Sequence, residues 1–283
     1  ANSGVHVNAM EIGTDYEEGE NPIAMKSDFI LSLCEQLMGT KVSAKAKSII
    51  DRCTANVLRE YIQNNFAGTP PTLVEFHAEL TRQPEKEAQD VALAIELYVN
   101  GSLNIFAKQS NVDTHSRIVC YDILEMGKNL KAVAMLVILD AIFMRIMKNR
   151  LRGIRTHLFI DEIYLLYNNE YSGNYLSELW RRVRKYNADC TGLLQNVAEQ
   201  LRSDTGRTML ANREFLVMLN QAATDRVELA DVLNISEAQM NYVTNAPAGH
   251  GLIRCGSAIV PFEDKFPAEN ALYQLMSTKP GEN

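Results

Sequence analysis

The chain has 283 residues, of which 46% are hydrophobic, 22% charged and 7% aromatic, and this composition excludes a collagen, a disordered tail and a low-complexity scaffold. The formal net charge of −7 excludes a polycation, so nucleic-acid binding would need a local basic patch. Five widely spaced cysteines without a C-x-x-C pattern are typical of small buried side chains in a reducing compartment. The first residues have no signal-peptide pattern, and the apolar run 132–147 is too short to span a bilayer, so we expect a cytosolic protein.

Helices alone are predicted in the first part of the chain. Apolar side chains recur at helical spacing in four segments: residues 23–38, 43–64, 73–81 and 85–99. A serine cap precedes the second segment, and the GTPPT break separates it from the third. We therefore expect a lead-in segment of a truncated core at 1–22 and an all-α block at 23–115, inserted into an α/β domain.

Strands and helices alternate from residue 117 onward. Four runs are strand-like: RIVCYDI at 117–123, THLFIDE at 156–162, DCTGLLQ at 189–195 and REFLVMLN at 213–220. A long helix is predicted at 128–150, others near 175–186, 225–233 and 236–243, and a β-hairpin about the Gly256-Ser257 turn. This alternation predicts βαβ units, a mostly parallel sheet and an α/β core at 116–283.

The sharpest local motif is LFIDE, a hydrophobic strand that ends in Asp161 and Glu162. In P-loop NTPases, this Walker B arrangement lies at the carboxyl edge of a sheet whose strands are buried on both faces. The aspartate there holds the Mg²⁺ shell, and a following glutamate polarises the attacking water. The alternative is an ordinary strand end that faces solvent, because a hydrophobic run followed by two acids is a common string.

Two further features follow in the chain. Gln195 ends the next predicted strand, where an amide could bond to a γ-phosphate, although a glutamine that caps the next helix is equally ordinary. Residues 181–185 contain four cations, and basic side chains at a helix C-terminus are favoured by the helix dipole. Four cations in five positions exceed what a helix end needs, so one of them is a candidate for work on the phosphate of a neighbouring subunit.

Other site patterns are absent from the sequence. The 283 residues contain no G-x-x-x-x-G-K-[ST], the loop that cradles phosphates and supplies the lysine that pairs with them. They contain no H-E-x-x-H and no cysteine and histidine cluster for zinc. A basic run at 145–155 is more typical of a solvated helix end than of a phosphate site. The sequence thus predicts half of a nucleotide site.

Eight blocks resemble, in order, the C-terminal ATPase domain of the VirB-four/TraE-like family of type IV secretion and conjugative-transfer ATPases. They are ENPIAMKSDFILSLCEQLMG, KSIIDRC, QPEKEAQDVALAIELYVNGSLNIF, RIVCYDILEMGK, LFIDEIYLL, ELWRRVRKYNADCTGLLQNV, MLNQAATDRVELADVLNIS and GLIRCGSAIVPFEDKFP. The resemblance covers nearly the whole chain, from about residue 21 to residue 280, with family order and spacing.

The resemblance implies a RecA-like P-loop NTPase fold related to the HerA and FtsK motors, with an all-α insertion and a hexameric or similar assembly. It implies ATP and Mg²⁺ as cofactors, other secretion components and DNA as candidate partners, and a cytoplasmic location peripheral to the membrane. The implied roles are Mg²⁺ binding through water for Asp161, catalytic carboxylate for Glu162, γ-phosphate sensor for Gln195, arginine finger for Arg184, and a nucleotide or interface role for Arg226.

The chain departs from the family pattern at its N-terminus. The P-loop of the family lies upstream of the block where this chain begins, so we expect a fragment of a motor ATPase that is inactive alone. Two other functions stay open: a non-catalytic degenerate relative that provides an oligomerisation or partner surface, and a DNA-pumping translocase of the HerA/FtsK type. A G-x-x-x-x-G-K-[ST] encoded upstream would separate the first function from the second.

Overall fold

The computed structural model divides the chain into two compact units, residues 1–193 and residues 194–283. The described residues are 4–14, 16, 20–112, 116–123, 126–167, 170–195, 197–211, 213, 215–221, 226–244 and 246–276. No helix in these ranges is both long enough and apolar enough to cross a membrane.

Four helices form the first part of the first unit. They are α1 (Pro22–Met38), α2 (Ala44–Gln63), α3 (Leu73–Arg82) and α4 (Lys86–Val99). Side-chain caps begin three of them, from Asn21, Ser43 and Thr72, and the last forms a capping box with Glu75. Gly39, at φ +67°, ends α1 in the left-handed conformation. The described part of 23–115 contains no strand, as its periodicity predicts.

The packed interior of these helices is mainly apolar, although it also encloses Lys26 and Glu35 of α1. Its largest fully buried side chains include Phe29, Ile50, Leu58, Phe76 and Ile95. Phe29 of α1 and Ile50 and Leu58 of α2 lie on the faces that helical spacing predicts to be apolar. Local patterning therefore accounts for this part of the fold.

Two helices and a two-stranded parallel sheet complete the first unit. They are α5 (Lys128–Leu151), β1 (Thr156–Ile160), α6 (Glu170–Val183) and β2 (Ala188–Gly192). The strands pair from Thr156 opposite Ala188 to Ile160 opposite Gly192, which is the βαβ arrangement that the sequence predicts. The expectation that β1 is buried on both faces is wrong within this chain, because Phe159 is 68% exposed. Leu158 and Ile160 on the other face are buried.

The predicted strand at 117–123 is not formed. The described residues 116–123 are bends and irregular backbone, and Ile118 is 86% exposed. Arg145 of α5 holds this segment instead by donating to the carbonyl oxygen of Ser116 at 2.6 Å. A β-rich run becomes a strand only when a neighbouring strand supplies its hydrogen bonds, and no described strand lies beside this one.

A buried ion pair joins α1 to α5. Nζ of Lys26 lies 2.5 Å from Oδ2 of Asp140, and the lysine side chain is 3% exposed. Tyr175 of α6 donates to the other carboxylate oxygen of Asp140 at 3.0 Å. Burial, followed by the charge of Asp140, raises the pKa of Tyr175 well above its usual value, so its phenol remains a donor. The three side chains therefore connect the helical block to the helices that flank the parallel sheet.

The cysteines meet the sequence expectation only in part. Cys34 and Cys53 are buried, and burial raises their pKa values to about 12 and about 11, which disfavours the thiolate form. Cys190 is half-buried, and burial raises its pKa to about 12. Cys120 and Cys255 are exposed, contrary to the expectation of buried side chains: Cys120 lies in irregular backbone and Cys255 is the last residue of β4 before the turn.

The second unit contains short helices and a three-stranded sheet. Its elements are α7 (Val197–Leu201), α8 (Asp204–Ala211), β3 (Phe215–Met218), α9 (Arg226–Leu233), α10 (Glu237–Met240), β4 (His250–Cys255), β5 (Ala258–Glu263) and α11 (Ala271–Met276). The predicted hairpin is formed by β4 and β5, with Cys255 opposite Ala258 and Gly256 at φ +59°. β3 pairs antiparallel with β4, so the expectation of a mostly parallel sheet does not hold in this unit.

Candidate functional site

Asp161 and Glu162 directly follow the carboxyl end of β1, as the sequence predicts. The Asp161 side chain is exposed, and its Oδ1 accepts the backbone N–H of Glu162 at 3.0 Å. Glu162 is half-buried. The pair thus presents one open carboxylate and one more enclosed carboxylate at the same edge of the parallel sheet.

Glu162 has a left-handed backbone, with φ +54° and ψ +36°. This conformation costs a side chain other than glycine about 1–2 kcal/mol, and such strain persists only where the surroundings enforce it. Here two backbone hydrogen bonds do so. Leu193 donates to the carbonyl oxygen of Ile160 at 2.8 Å, and Ile163 donates to that of Leu193 at 3.4 Å. The corner after β1 is therefore fastened to the end of β2.

Packing fixes the same corner from the side. Ile163 is fully buried, and a Cβ atom on Gly192 would lie only 2.8 Å from its Cδ1 atom. Any larger residue at position 192 would crowd this isoleucine, so the last residue of β2 and the first residue after Glu162 pack closely against each other. The left-handed backbone at Glu162 is consequently a fixed feature of the site.

Tyr164 contacts the carboxylate of Glu162. Its hydroxyl donates to Oε2 of Glu162 at 2.6 Å, and the ring is half-buried in the 3-10 turn Ile163–Leu166. The sequence analysis did not identify Tyr164 as a site residue, because it considered only the two acids of LFIDEIYLL. The available signal was an aromatic residue with a hydroxyl two positions after the glutamate.

Arg184 lies at the opposite edge of the sheet from Glu162. It begins the 3-10 turn Arg184–Tyr186, immediately before the amino end of β2, and its side chain is exposed. β1 and β2 each have 5 residues in parallel register, so about 16 Å of strand separates the two edges. The structure therefore does not bring Arg184 to Glu162 of the same chain.

The other cations of this run differ in their partners. Arg181 donates to Oγ of Ser177 at 3.1 Å, and Arg182 donates to Oε2 of Glu178 at 2.8 Å, both one turn earlier on α6. These two arginines serve their own helix. In the part of the chain that the structure describes, Arg184 makes no hydrogen bond and no ion pair, which distinguishes it from both.

Gln195 and Arg226 belong to the second unit. Gln195 is exposed, and the prediction that it ends the strand is wrong, because β2 ends at Gly192, three residues earlier. Arg226 is the first residue of α9, but its side chain lies outside what the structure describes. The sensor role of Gln195 and the nucleotide or interface role of Arg226 both stay predictions.

The residues present fit a magnesium ion that is held mainly by a nucleotide. Among the described residues, no three histidine, cysteine, aspartate or glutamate side chains come together as a metal site. Mg²⁺ is commonly bound through one or two carboxylates, with water and phosphate oxygens completing its shell. The exposed carboxylate of Asp161 at the strand end suits such a site.

Comparison with known proteins finds likeness among solved structures. No protein-family model and no curated protein matches the chain. The structure of VirB4 of Thermoanaerobacter pseudethanolicus is similar with a TM-score of 0.78 and 18% identity, over 94% of this chain and 78% of that one. The bacterial conjugative coupling protein TrwBdeltaN70 is similar in its unbound monoclinic form, with a TM-score of 0.51 and 12% identity over 84% of this chain and 68% of that one. Its trigonal form in complex with sulphate is similar with a TM-score of 0.51 and 13% identity, over 83% of this chain and 68% of that one.

At these identities, the likeness concerns the fold. The α/β, RecA-like fold class predicted from the sequence is confirmed, including its parallel pairing of β1 and β2. One of these neighbours, VirB4, carries the name of the family that the sequence resembles. The chain therefore has the fold of VirB4 of Thermoanaerobacter pseudethanolicus.

Proposed function

We propose that this chain is the motor ATPase domain of a type IV secretion or conjugative DNA-transfer machine, in which ATP hydrolysis powers substrate transfer or pilus assembly. The observation that carries the proposal is the Asp161 and Glu162 pair, set in a strained corner at the carboxyl end of a parallel strand. Nucleotides bind at this edge of α/β sheets. The likeness to VirB4 and to a conjugative coupling protein supports the choice of machine.

The residues of this chain divide the chemistry among them. Asp161 would hold Mg²⁺ through water, and this ion would supply positive charge beside the phosphates. Glu162 accepts a proton from the attacking water, which its enclosed carboxylate suits better than the open carboxylate of Asp161. Gln195 bonds to the γ-phosphate and Arg226 serves the nucleotide or an interface, both as predicted from the resemblance.

The proposed setting is a homo-oligomer, most simply a hexamer, in which Arg184 of one subunit serves its neighbour. Its partners are other components of the secretion or conjugation machine, with DNA as a candidate substrate, and its place is the cytoplasmic side of the membrane as a peripheral component. The support for this setting is the resemblance in sequence and the likeness in fold.

A second candidate function rests on a specific observation, the absence of G-x-x-x-x-G-K-[ST] from the 283 residues. A non-catalytic module would keep the fold and offer an oligomer or partner surface. Left-handed backbone is not confined to Glu162, because Phe66 and Asn187 also adopt it, so the turnover of Glu162 variants decides between the two functions.

The isolated chain is expected to hydrolyse ATP at a negligible rate. Without the phosphate-binding loop, it has no backbone cradle and no lysine for the β- and γ-phosphates. Release of inorganic phosphate from Mg-ATP by the purified chain measures this directly. Steady turnover that Glu162→Gln abolishes would contradict the prediction.

In a longer protein that contains both this chain and a phosphate-binding loop, Glu162→Gln is expected to lower ATP turnover by at least about 10²-fold. Glutamine takes up no proton from water, so turnover falls. Because it has the same size as glutamate, nucleotide binding is retained. The measurements are phosphate release and the affinity for a fluorescent ATP analogue.

Glu60→Gln is the matched control for this variant. It makes the same chemical change at an exposed position of α2, and both turnover and affinity should be unaffected. A Glu162→Gln variant with wild-type turnover would remove Glu162 from the catalytic role and leave the non-catalytic module as the better function.

A further inference from the structure

The backbone and the side chain of Glu162 are held in different ways. Hydrogen bonds of Leu193 and the packing of Ile163 against Gly192 fix the backbone at the left-handed corner. None of these contacts reaches the carboxylate, which stands at the end of three rotatable bonds. A carboxylate that must take a proton from a water molecule has to be fixed to within a fraction of an ångström.

One hydrogen bond fixes the carboxylate. The hydroxyl of Tyr164 lies 2.6 Å from Oε2 of Glu162, and no other hydrogen bond or ion pair of that carboxylate occurs among the described residues. Because an ionised carboxylate only accepts hydrogen bonds, the tyrosine is the donor. Its ring belongs to the 3-10 turn that starts at Ile163, so the same packing that fixes the corner also places the donor.

We propose that Tyr164 is a positioning residue that aims the carboxylate of Glu162 at the attacking water. The proposal rests on the proposed function, in which Glu162 accepts the proton of that water. Tyr164 occupies one oxygen of the carboxylate and leaves the other for the water. It touches neither nucleotide nor water in this role, and it acts through Glu162 alone.

The test is Tyr164→Phe in the longer protein with a phosphate-binding loop. This change removes one hydroxyl and keeps the ring in place. We expect kcat to fall about 10- to 100-fold, the range for loss of a hydrogen bond to a charged group, with the KM for ATP and the thermal midpoint nearly unchanged. Tyr167→Phe is the matched control, because it removes a hydroxyl from the residue that follows the same turn. It leaves the hydrogen bond from Tyr164 to Glu162 intact, so its kcat should stay near that of the wild type.

A double-mutant cycle separates positioning from a general structural effect. Single turnovers of labelled ATP are measured for Tyr164→Phe, Glu162→Gln and the combined variant. If Tyr164 acts through the carboxylate, the combined variant should be no slower than Glu162→Gln alone. A Tyr164→Phe variant that is merely misfolded would slow the reaction by the same factor in both backgrounds, and additive losses overturn the proposal.

The two proposals fail in different ways. Near-normal turnover of Glu162→Gln contradicts the proposed function itself. Loss of turnover in Glu162→Gln together with an unchanged kcat in Tyr164→Phe leaves the motor function standing and overturns only the role of Tyr164.

Discussion

Arg184→Ala is expected to lower ATP turnover by about 10³–10⁵-fold in an oligomer whose subunits contain this chain and a phosphate-binding loop. Nucleotide affinity should hardly change. The reason is that a fixed guanidinium stabilises the charge of the transition state in a cleft from which water is excluded. Arg184 suits this role in trans, because it is exposed, makes no bond within the described residues, and lies at the edge of the sheet opposite to Glu162.

The alternative is that Arg184 only stabilises the end of α6. Basic residues at a helix C-terminus contribute roughly 0.3–1 kcal/mol through the helix dipole. Under that alternative Arg184→Ala would change the stability slightly and turnover hardly at all. Arg181→Ala is the matched control, since Arg181 lies on the last turns of the same helix and already donates to Ser177. The arginine-finger role and the helix-end role therefore predict turnover rates for Arg184→Ala that differ by orders of magnitude.

Mixed oligomers test whether Arg184 acts on a neighbouring subunit. Each single variant, Arg184→Ala or Glu162→Gln, should be nearly inactive. Mixing the two should restore part of the turnover, because some interfaces then join an intact Arg184 to an intact Glu162. If Arg184→Ala alone keeps near-normal turnover, or if mixing restores nothing, the finger is another residue. Arg226 is then the next candidate, ahead of Arg182, which already pairs with Glu178.

Features that depend on neighbours along the chain were predictable from sequence. The caps at Ser43 and Thr72 and the apolar faces of α1–α4 follow from residues within a few positions of each other. The place of Asp161 and Glu162 followed from a hydrophobic strand that ends in acids. These parts of the fold and site need no knowledge of distant contacts.

Features that depend on distant partners were not predictable. Residues 117–123 have a strand-like composition but no described strand beside them, and β3 has a strand pattern that does not reveal its antiparallel partner. The left-handed backbone of Glu162 arises from hydrogen bonds with Leu193, thirty-one positions away. The contact from Tyr164 then depends on that corner, so periodicity and composition could not indicate it.

The buried ion pair carries the largest expected effect on stability. Asp140→Ala should lower the free energy of unfolding by about 3–5 kcal/mol, because it leaves the ammonium of Lys26 buried without its counter-charge. The measurement is urea unfolding followed by the fluorescence of Trp180, the only tryptophan, which lies on α6 five residues after Tyr175. Arg52→Ala is the control, since it breaks an ion pair with Glu85 that lies in solvent and should have little effect.

Replacing both partners tests whether the loss comes from the unpaired charge. The double variant Lys26→Met with Asp140→Leu removes both charges and fills similar volume, so it should recover most of the stability that Asp140→Ala loses. Tyr175 would then lack its acceptor, and adding Tyr175→Phe should recover part of the remainder. If Asp140→Ala is no less stable than Arg52→Ala, the ion pair between α1 and α5 does not stabilise the fold. If the double variant is as unstable as Asp140→Ala, the stabilisation comes from the attraction between the two charges rather than from the avoidance of an unpaired one.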